Sequence, residues 1–351
     1  MQKHIVFKAI TAILFMTVMV IGIAGKSTPA SAANTNPITV VWYPNESSND
    51  HASSRTEFGK LIEQATGRKV EHRLTTDYVI AIESLASGAA DIGAVMGAVG
   101  YIEAKNKNPK VDVLFVNSGI SGTLDDAVYY SWLMVNKNDA DKYKDGGNYS
   151  LSNIQGKKMS FVSNSSTSGF RVPTSGIIGF FSKKEQWKNI NVDDLLGLGA
   201  RAFFSEVLFG GSHQGSGFNL LSGRADIAAV CDYEMNPYAT IKEGAENKVG
   251  SVYAVRENAS APFNTVTGKE FVLIYVVPVL NGPNAYNPQN LSPKEIQAIR
   301  DIFTSDETAN NPNFFAAPNS GNKFAFYKKT KNERYVLVND SWYNPIREMG
   351  K

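Results

Sequence analysis

A single cysteine in 351 residues, Cys231, excludes a disulfide framework and a thiolate zinc set. Four histidines, one of them His4, form no H-E-x-x-H and no clustered ligand set, so neither a metal nor another cofactor is expected. G-x-S-x-G and the full G-x-x-x-x-G-K-[ST] are also missing, which removes the hydrolase nucleophile elbow and the NTPase phosphate loop. The formal net charge is only +2 and no basic patch stands out, which argues against nucleic acid as a partner. Low-complexity segments are absent. The one long uncharged run, residues 9–25, follows Lys3 and Lys8 and precedes Ala30-Ser31-Ala32, the pattern of an export signal cleaved after Ala32. An uncleaved anchor is the alternative, because the run is nearly long enough to span a bilayer. Cleavage leaves 351 − 32 = 319 residues, and loss of Lys3, Lys8 and Lys26 turns the net charge to −1. That length suits two lobes, each with its own core. Cys231 lies in the apolar run ADIAAVC and reads as a buried, inert thiol. It leaves no cysteine near the signal for a lipid.

Strand and helix patterns alternate along the mature chain. ITVVWY (38–43) and KVEHRL (69–74) read as strands, with a helix between them that Ser54 and Glu57 would cap and Gly67 would stop. Thr76 is placed to cap a helix ending at Gly88, before the short strand IGAV. This alternation predicts parallel α/β layering. The segments LASGAADIGAV (85–95) and LLSGRADIAAV (220–230) agree at eight of eleven positions and occupy equivalent places, which points to two similar lobes. Two long apolar runs, YYSWLMVNK (129–137) and EFVLIYVVPVL (270–280), would carry the chain between the lobes and back, a hinge for closure on a ligand. The expected division is a signal at 1–32, lobe one at 33–133, lobe two at 134–268, and a return to lobe one with C-terminal helices at 269–351. One of these helices lies in SPKEIQAIRDIF, capped by Ser292 with Glu295 completing the box.

Several polar clusters fall at strand ends, where open α/β sheets bind ligands. FVSNSSTSGFRVP (161–173) sets Ser165, Ser166, Thr167 and Ser168 between a strand and a helix start. It is either a plain helix cap or a cradle of hydroxyls and amides for an anion. GGSHQGSG (210–217) holds His213 in a glycine-rich turn, as an oxyanion donor or as an exposed loop histidine. PNES (44–47), TTDY (75–78) and GAVGY (97–101) lie on the lobe-one side. Tyr78 and Tyr101 are either phenolic donors or packing residues. Asp232, Tyr233 and Glu234 follow the second-lobe echo, where the acids either meet the ligand or face water.

Taken in order, YPNES, TTDYVIAIESLASGAADIGAV, GYIEA, SNSSTSGFRVP and FGGSHQGS with LLSGRADIAAV resemble the phosphate/phosphite/phosphonate solute-binding proteins of ABC transporters, over roughly residues 38–280. The resemblance implies an α/β, two-lobed type II periplasmic-binding-protein fold with an interlobe cleft. Ser166, Thr167 and Ser168 would hold the phosphorus-bound oxygens, with His213 as a further donor and Tyr78 and Tyr101 reaching in from lobe one. The chain departs from the family pattern at Gly97-Ala-Val-Gly-Tyr101, which lacks the usual proline. It departs again at Tyr233, where the family's acid for amino-substituted phosphonates would fall. Asp232 or Glu234 takes that role only if the loop shifts, so a small substituent on phosphorus is expected. The implied function is extracytoplasmic capture of a phosphonate- or phosphite-type oxyanion, without catalysis, by a monomer that delivers it to an ABC permease and its ATPase. The expected location is the periplasm or the outer face of the cytoplasmic membrane. A sensory binding protein for the same ligands, or a secreted hydrolase using a hydroxyl and His213, are the alternatives.

Overall fold

The structure, a computed structural model, describes residues 35–349 apart from 200 and 319, so the export signal expected at 1–32 lies outside the described residues. Strand pairing builds two sheets. The first has six strands in the order Tyr335–Val336, Asp112–Asn117, Asn284–Tyr286, Ile92–Ala94, Ile38–Trp42, Val70–Leu74. The second has seven: Ala239–Glu243, Val252–Val255, Glu270–Leu280, Val128–Asn136, Ile227–Cys231, Lys158–Phe161, Glu206–Phe209. Each sheet is the centre of one lobe.

The expected parallel layering holds only within the strand-helix-strand units. Ile38–Trp42 runs parallel to both its neighbours, as does Lys158–Phe161 in the second sheet. Returning segments make both sheets mixed: Asn284–Tyr286 inserts antiparallel between Ile92–Ala94 and Asp112–Asn117. The two apolar runs form long antiparallel partners, from Phe271 opposite Asn136 to Leu280 opposite Val128, with one slip between Leu273 and Tyr275. A segment that comes back from the other lobe has no helix of its own to cover a crossover, so it enters the sheet directly. The lobe boundary expected at 133/134 falls inside the first of these strands.

The repeated segment performs the same task twice. Helix Tyr78–Ser87 ends at Gly88 with φ of 79°, and the helix His213–Leu221 is followed by Gly223 with φ of 82°, backbone that a side chain at Cβ would strain. Asp91 then donates its N–H to Thr39 O (2.9 Å) and accepts Thr39 N–H on Oδ2 (2.8 Å). Asp226 does the same with Lys158, at 2.9 and 2.8 Å. The aspartate therefore pins the first strand of each parallel pair. Asp91 is buried and also accepts Asn290 Nδ2, so Asp91→Ala removes two hydrogen bonds and leaves Thr39 N–H without its side-chain acceptor; the unfolding free energy should fall by about 2 kcal/mol in a urea titration.

Caps refine the sequence reading. Ser292 and Glu295 form the expected box on helix Pro293–Phe303. Helix Ala52–Thr66 begins two residues before Ser54, whose hydroxyl instead donates to the carbonyls of Asn313 and Phe324, tying the helix to the C-terminal segment. Asp77, one residue past Thr76, caps Tyr78–Ser87 through Val79 N–H. One apolar cluster continues across the lobe boundary, joining Tyr43 and Tyr78 to Val162, Val172 and Cys231. Among the described residues no helix is long and apolar enough to cross a membrane.

Candidate functional site

Backbone pairing brings the hydroxyl run and the histidine turn together. Gly210 and Gly211 donate to Phe161 O and Val162 O at 2.8 and 2.9 Å, so the turn before His213 lies beside the strand end that leads into Ser166–Ser168. Beyond that end the chain forms one π-helical turn, Thr167–Arg171, closed by Val172 N–H on Thr167 O, before the α-helix Val172–Phe181 with Pro173 in its first turn. A wide turn at a helix start leaves its leading N–H groups pointing outward at the positive end of the dipole. The two sequence readings divide between residues. Ser166 is the cap, its Oγ accepting Gly169 N–H at 3.1 Å; Thr167 and Ser168, the next two residues, are buried and free of that duty.

The hydrogen-bond polarity of the cluster is uniform. Thr167 Oγ1 accepts Val99 N–H at 2.9 Å, which leaves its proton for another acceptor. Nδ1 of His213 accepts Cys231 N–H at 3.0 Å, so the ring's proton is on Nε2. Burial pushes this imidazole down to about 3, which keeps it a neutral donor and excludes the imidazolium form near neutral pH. The hydroxyl oxygen of Tyr78 accepts Asn45 Nδ2 at 2.7 Å, and burial holds the phenol well above its ordinary range, so it too keeps a proton to give. In each case the group accepts a protein N–H and keeps a hydrogen that it can donate. A cluster built this way has a hydrogen to give at each of three groups, which fits an acceptor-only ligand such as an oxyanion.

Both lobes contribute. Val99 belongs to lobe one and Thr167 to lobe two; Asn45 of lobe one accepts His213 N–H at 3.1 Å while holding Tyr78. Tyr129, on the first crossing strand, is buried with its hydroxyl within hydrogen-bonding reach of Ser168 and Thr167, and its ring lines an interlobe cavity of about 450 Å³ with Asp232, Tyr233, Asn247 and Tyr327.

One expected residue, Tyr101, is placed differently, and Asp232 lines the cavity. Tyr101 turns away: its hydroxyl donates to Asp340 Oδ1 at 2.5 Å, against the C-terminal segment and Tyr343. This corrects its assignment to the cradle; the GAVGY turn reaches the cradle through the Val99 amide instead, because Tyr101 follows two residues later on the helix Ala98–Lys107 and faces the other way. Asp232 is at the cavity wall, its Oδ1 accepting Tyr130 N–H (2.9 Å) and its Oδ2 accepting Asn247 Nδ2 (3.3 Å); burial raises its carboxyl to about 6.

Sequence reasoning misses Tyr43, Asn45 and Tyr129 as individuals. Tyr43 stacks on Tyr78 with centroids 4.2 Å apart, and its buried hydroxyl has no hydrogen-bond partner among the described residues. A polar residue in a strand that otherwise reads as core is the available signal for Tyr129. For Asn45 it is the place of PNES after the first strand. Among the described residues no group of acids, histidines or cysteines is arranged to hold a metal.

Comparison with known proteins identifies the family. Residues 40–343 match the family described as "ABC transporter, phosphonate, periplasmic substrate-binding protein". A phosphate-import protein, PhnD, of Mycolicibacterium smegmatis is 27% identical over 198 residues, which is 56% of this chain and 55% of that protein, so the match spans about half of the relative. Two crystal structures share the fold: a binding-protein component of an ABC phosphonate transporter from Pseudomonas aeruginosa (TM-score 0.61, 19% identity, 90% of this chain and 85% of the other) and PhnD1 of Prochlorococcus marinus in complex with methylphosphonate (TM-score 0.60, 16% identity, 90% and 98%). With a family match across nearly the whole described chain and a shared two-lobed fold, the chain belongs to the periplasmic substrate-binding proteins of phosphonate-type ABC transporters.

Proposed function

We propose that this protein captures a small phosphorus oxyanion, a phosphonate or phosphite, between its lobes and delivers it as a monomer to an ABC importer in the cytoplasmic membrane. The observation that carries the reading is the shared polarity of Thr167, His213 and Tyr78, each accepting a protein N–H and keeping a proton to give. Ser166 and Ser168 complete the cradle, and Asp232 borders the space for the substituent. Neutral donors suit a carrier: they solvate a buried charge in full without a fixed counter-ion to hinder release. Sheet membership moves the expected lobe boundaries to about 128 and 280, so lobe one comprises about 33–127 together with 281–351 and lobe two about 128–280, and the mature protein begins after Ala32, on the outer side of the membrane.

Binding without turnover is also supported locally. His213 Nδ1 accepts a backbone N–H, so no carboxylate orients the ring as a base, and Ser212 Oγ accepts Gly215 N–H as a helix cap. Thermal unfolding of the ligand-free mature protein with methylphosphonate, phosphite, hypophosphite, phosphate and sulfate tests the reading. A cognate ligand at about 100 times its Kd adds roughly 2.7 kcal/mol, a clear upward shift. A shift with one or more phosphorus compounds and none with sulfate is expected; no shift with any phosphorus compound would remove the proposal.

A further inference from the structure

Two carboxylates meet inside the closed interface. Glu46 follows the first strand of lobe one and is 1% exposed; Glu234 lies on the short helix Asp232–Met235 of lobe two and is 3% exposed. The two side chains are within hydrogen-bonding reach of each other. Neither Glu46 carboxylate oxygen meets a donor from another described residue, and Glu234 receives one, from Gln214 Nε2 at 2.8 Å. Two ionised carboxylates are both acceptors, so a hydrogen bond between them exists only when one carries a proton.

The surroundings supply too little positive charge to replace that proton. Among the described residues Arg55 is the cation acting on Glu46, and its Nη1 is engaged by the carbonyls of Glu46 and Ser48 rather than by the carboxylate. Facing Glu234 from lobe one is His51, which burial keeps neutral; its Nδ1–H is donated to Phe324 O, so Nε2 turns a lone pair outward. Tyr43 and Tyr78 face Glu46 from its own lobe. Cys231 and Tyr233 from lobe two and Tyr327 from the C-terminal segment face both acids, Tyr238 faces Glu234, and burial favours the neutral form of each. Asp50, which acts on His51 and Tyr238, and Asp232, which acts on Cys231, add further negative charge. The pair therefore holds two negative charges against one guanidinium, in a site closed to water.

We propose that Glu46 and Glu234 hold one proton between them when the lobes are closed, so that a proton is bound together with the ligand and lobe closure is driven by acidity. Opening hydrates Glu46 and returns its carboxyl to the ordinary carboxylate range near 4.3. Burial first, and then the charge of Glu234, raises the Glu46 carboxyl well above that range in the closed form. A group raised on closing favours the closed form fully below its open-state value and loses that contribution as pH rises through the closed-state value. Closure should therefore weaken on the alkaline side, by up to tenfold per pH unit for one proton. An oxyanion in the neighbouring cradle acts in the same direction, since its charge penalises a second ionised acid.

The inference rests on the closing motion of the reading above, and its test uses no ligand, so failure of the ligand panel and failure of this proposal are told apart. A distance-reporting label pair goes on Lys60→Cys and Lys183→Cys, exposed sites on the two lobes, with native Cys231 buried and unlabelled. Distances are followed from pH 5 to 9. The expected result is a closed population at low pH that opens as pH rises, and a closed fraction independent of pH in both Glu46→Gln and Glu234→Gln, whose amides supply the missing donor permanently. An interlobe distance unchanged across this range, or the same pH response in the Gln variants as in the parent, overturns the proposal. Using both variants keeps the test open if one fails to fold.

Discussion

Replacing Thr167 by valine should weaken oxyanion binding about 100-fold or more while leaving the ligand-free fold nearly unchanged. The substitution keeps the shape and removes one hydroxyl. In the closed form that hydroxyl accepts Val99 N–H across the lobe boundary and offers its proton to the ligand. A hydrogen bond to a charged group contributes about 1.5–3 kcal/mol, and leaving a buried N–H without an acceptor costs about 1–3 kcal/mol more. Both losses occur only on closing, because in the open form water can pair with Val99 N–H. Calorimetry should therefore register the whole effect in affinity, with the unfolding temperature of the free protein within about 2 °C of the parent. A large loss of stability with unaltered affinity would assign Thr167 to the core instead.

His213→Phe should behave differently. It deletes the Nε2–H donor and also strands Cys231 N–H, which is inside lobe two whether the cleft is open or closed. Affinity should fall about 30-fold or more and stability by about 1–3 kcal/mol, the latter in the ligand-free protein. The pH dependence carries a second signature. Burial depresses the imidazole to about 3 against an unfolded value near 6.5, so its contribution to stability is present above 6.5 and lost as pH falls toward 3, at about 1.4 kcal/mol per unit. The phenylalanine variant lacks that acid-side slope in urea titrations between pH 6.5 and 4.5. The carboxylate pair predicts loss on the alkaline side, so the two effects differ in sign and can be separated in one series.

Much of this arrangement is legible in the amino-acid sequence. The crossing strand Glu270–Leu280 has the limits of its apolar run, and the Ser292/Glu295 box stands where the spacing places it, because both depend on local chemistry. The echo at 85–95 and 220–230 is legible as a repeat, and its purpose becomes visible only with the partners of Asp91 and Asp226, residues 52 and 68 positions away. Non-local pairing is also why mixed sheets read as parallel: nothing in Asn284–Tyr286 itself says that it inserts between two strands of the first sheet. Ser54 illustrates the same limit, since a buried hydroxyl with two distant carbonyls looks in sequence like a cap.

Site residues divide along the same line. Thr167 and His213 announce themselves through neighbours in the chain, a hydroxyl run and a glycine-rich turn. Tyr101 shares a turn with Val99, and which of them faces the cradle is decided by helix rotation that spacing leaves open. Glu46 and Glu234 are 188 residues apart and become a pair only when two lobes meet.

The central claim, a cradle of neutral donors shared by both lobes, is tested most directly by a crystal structure of the mature protein with the phosphorus oxyanion that gives the largest thermal shift. The account predicts the anion's oxygens about 3 Å from Thr167 Oγ1, Ser168 Oγ and His213 Nε2, with the Tyr78 hydroxyl completing the shell and no lysine or arginine in contact. An anion held by a guanidinium or ammonium group, or seated away from the Thr167 turn, would contradict it.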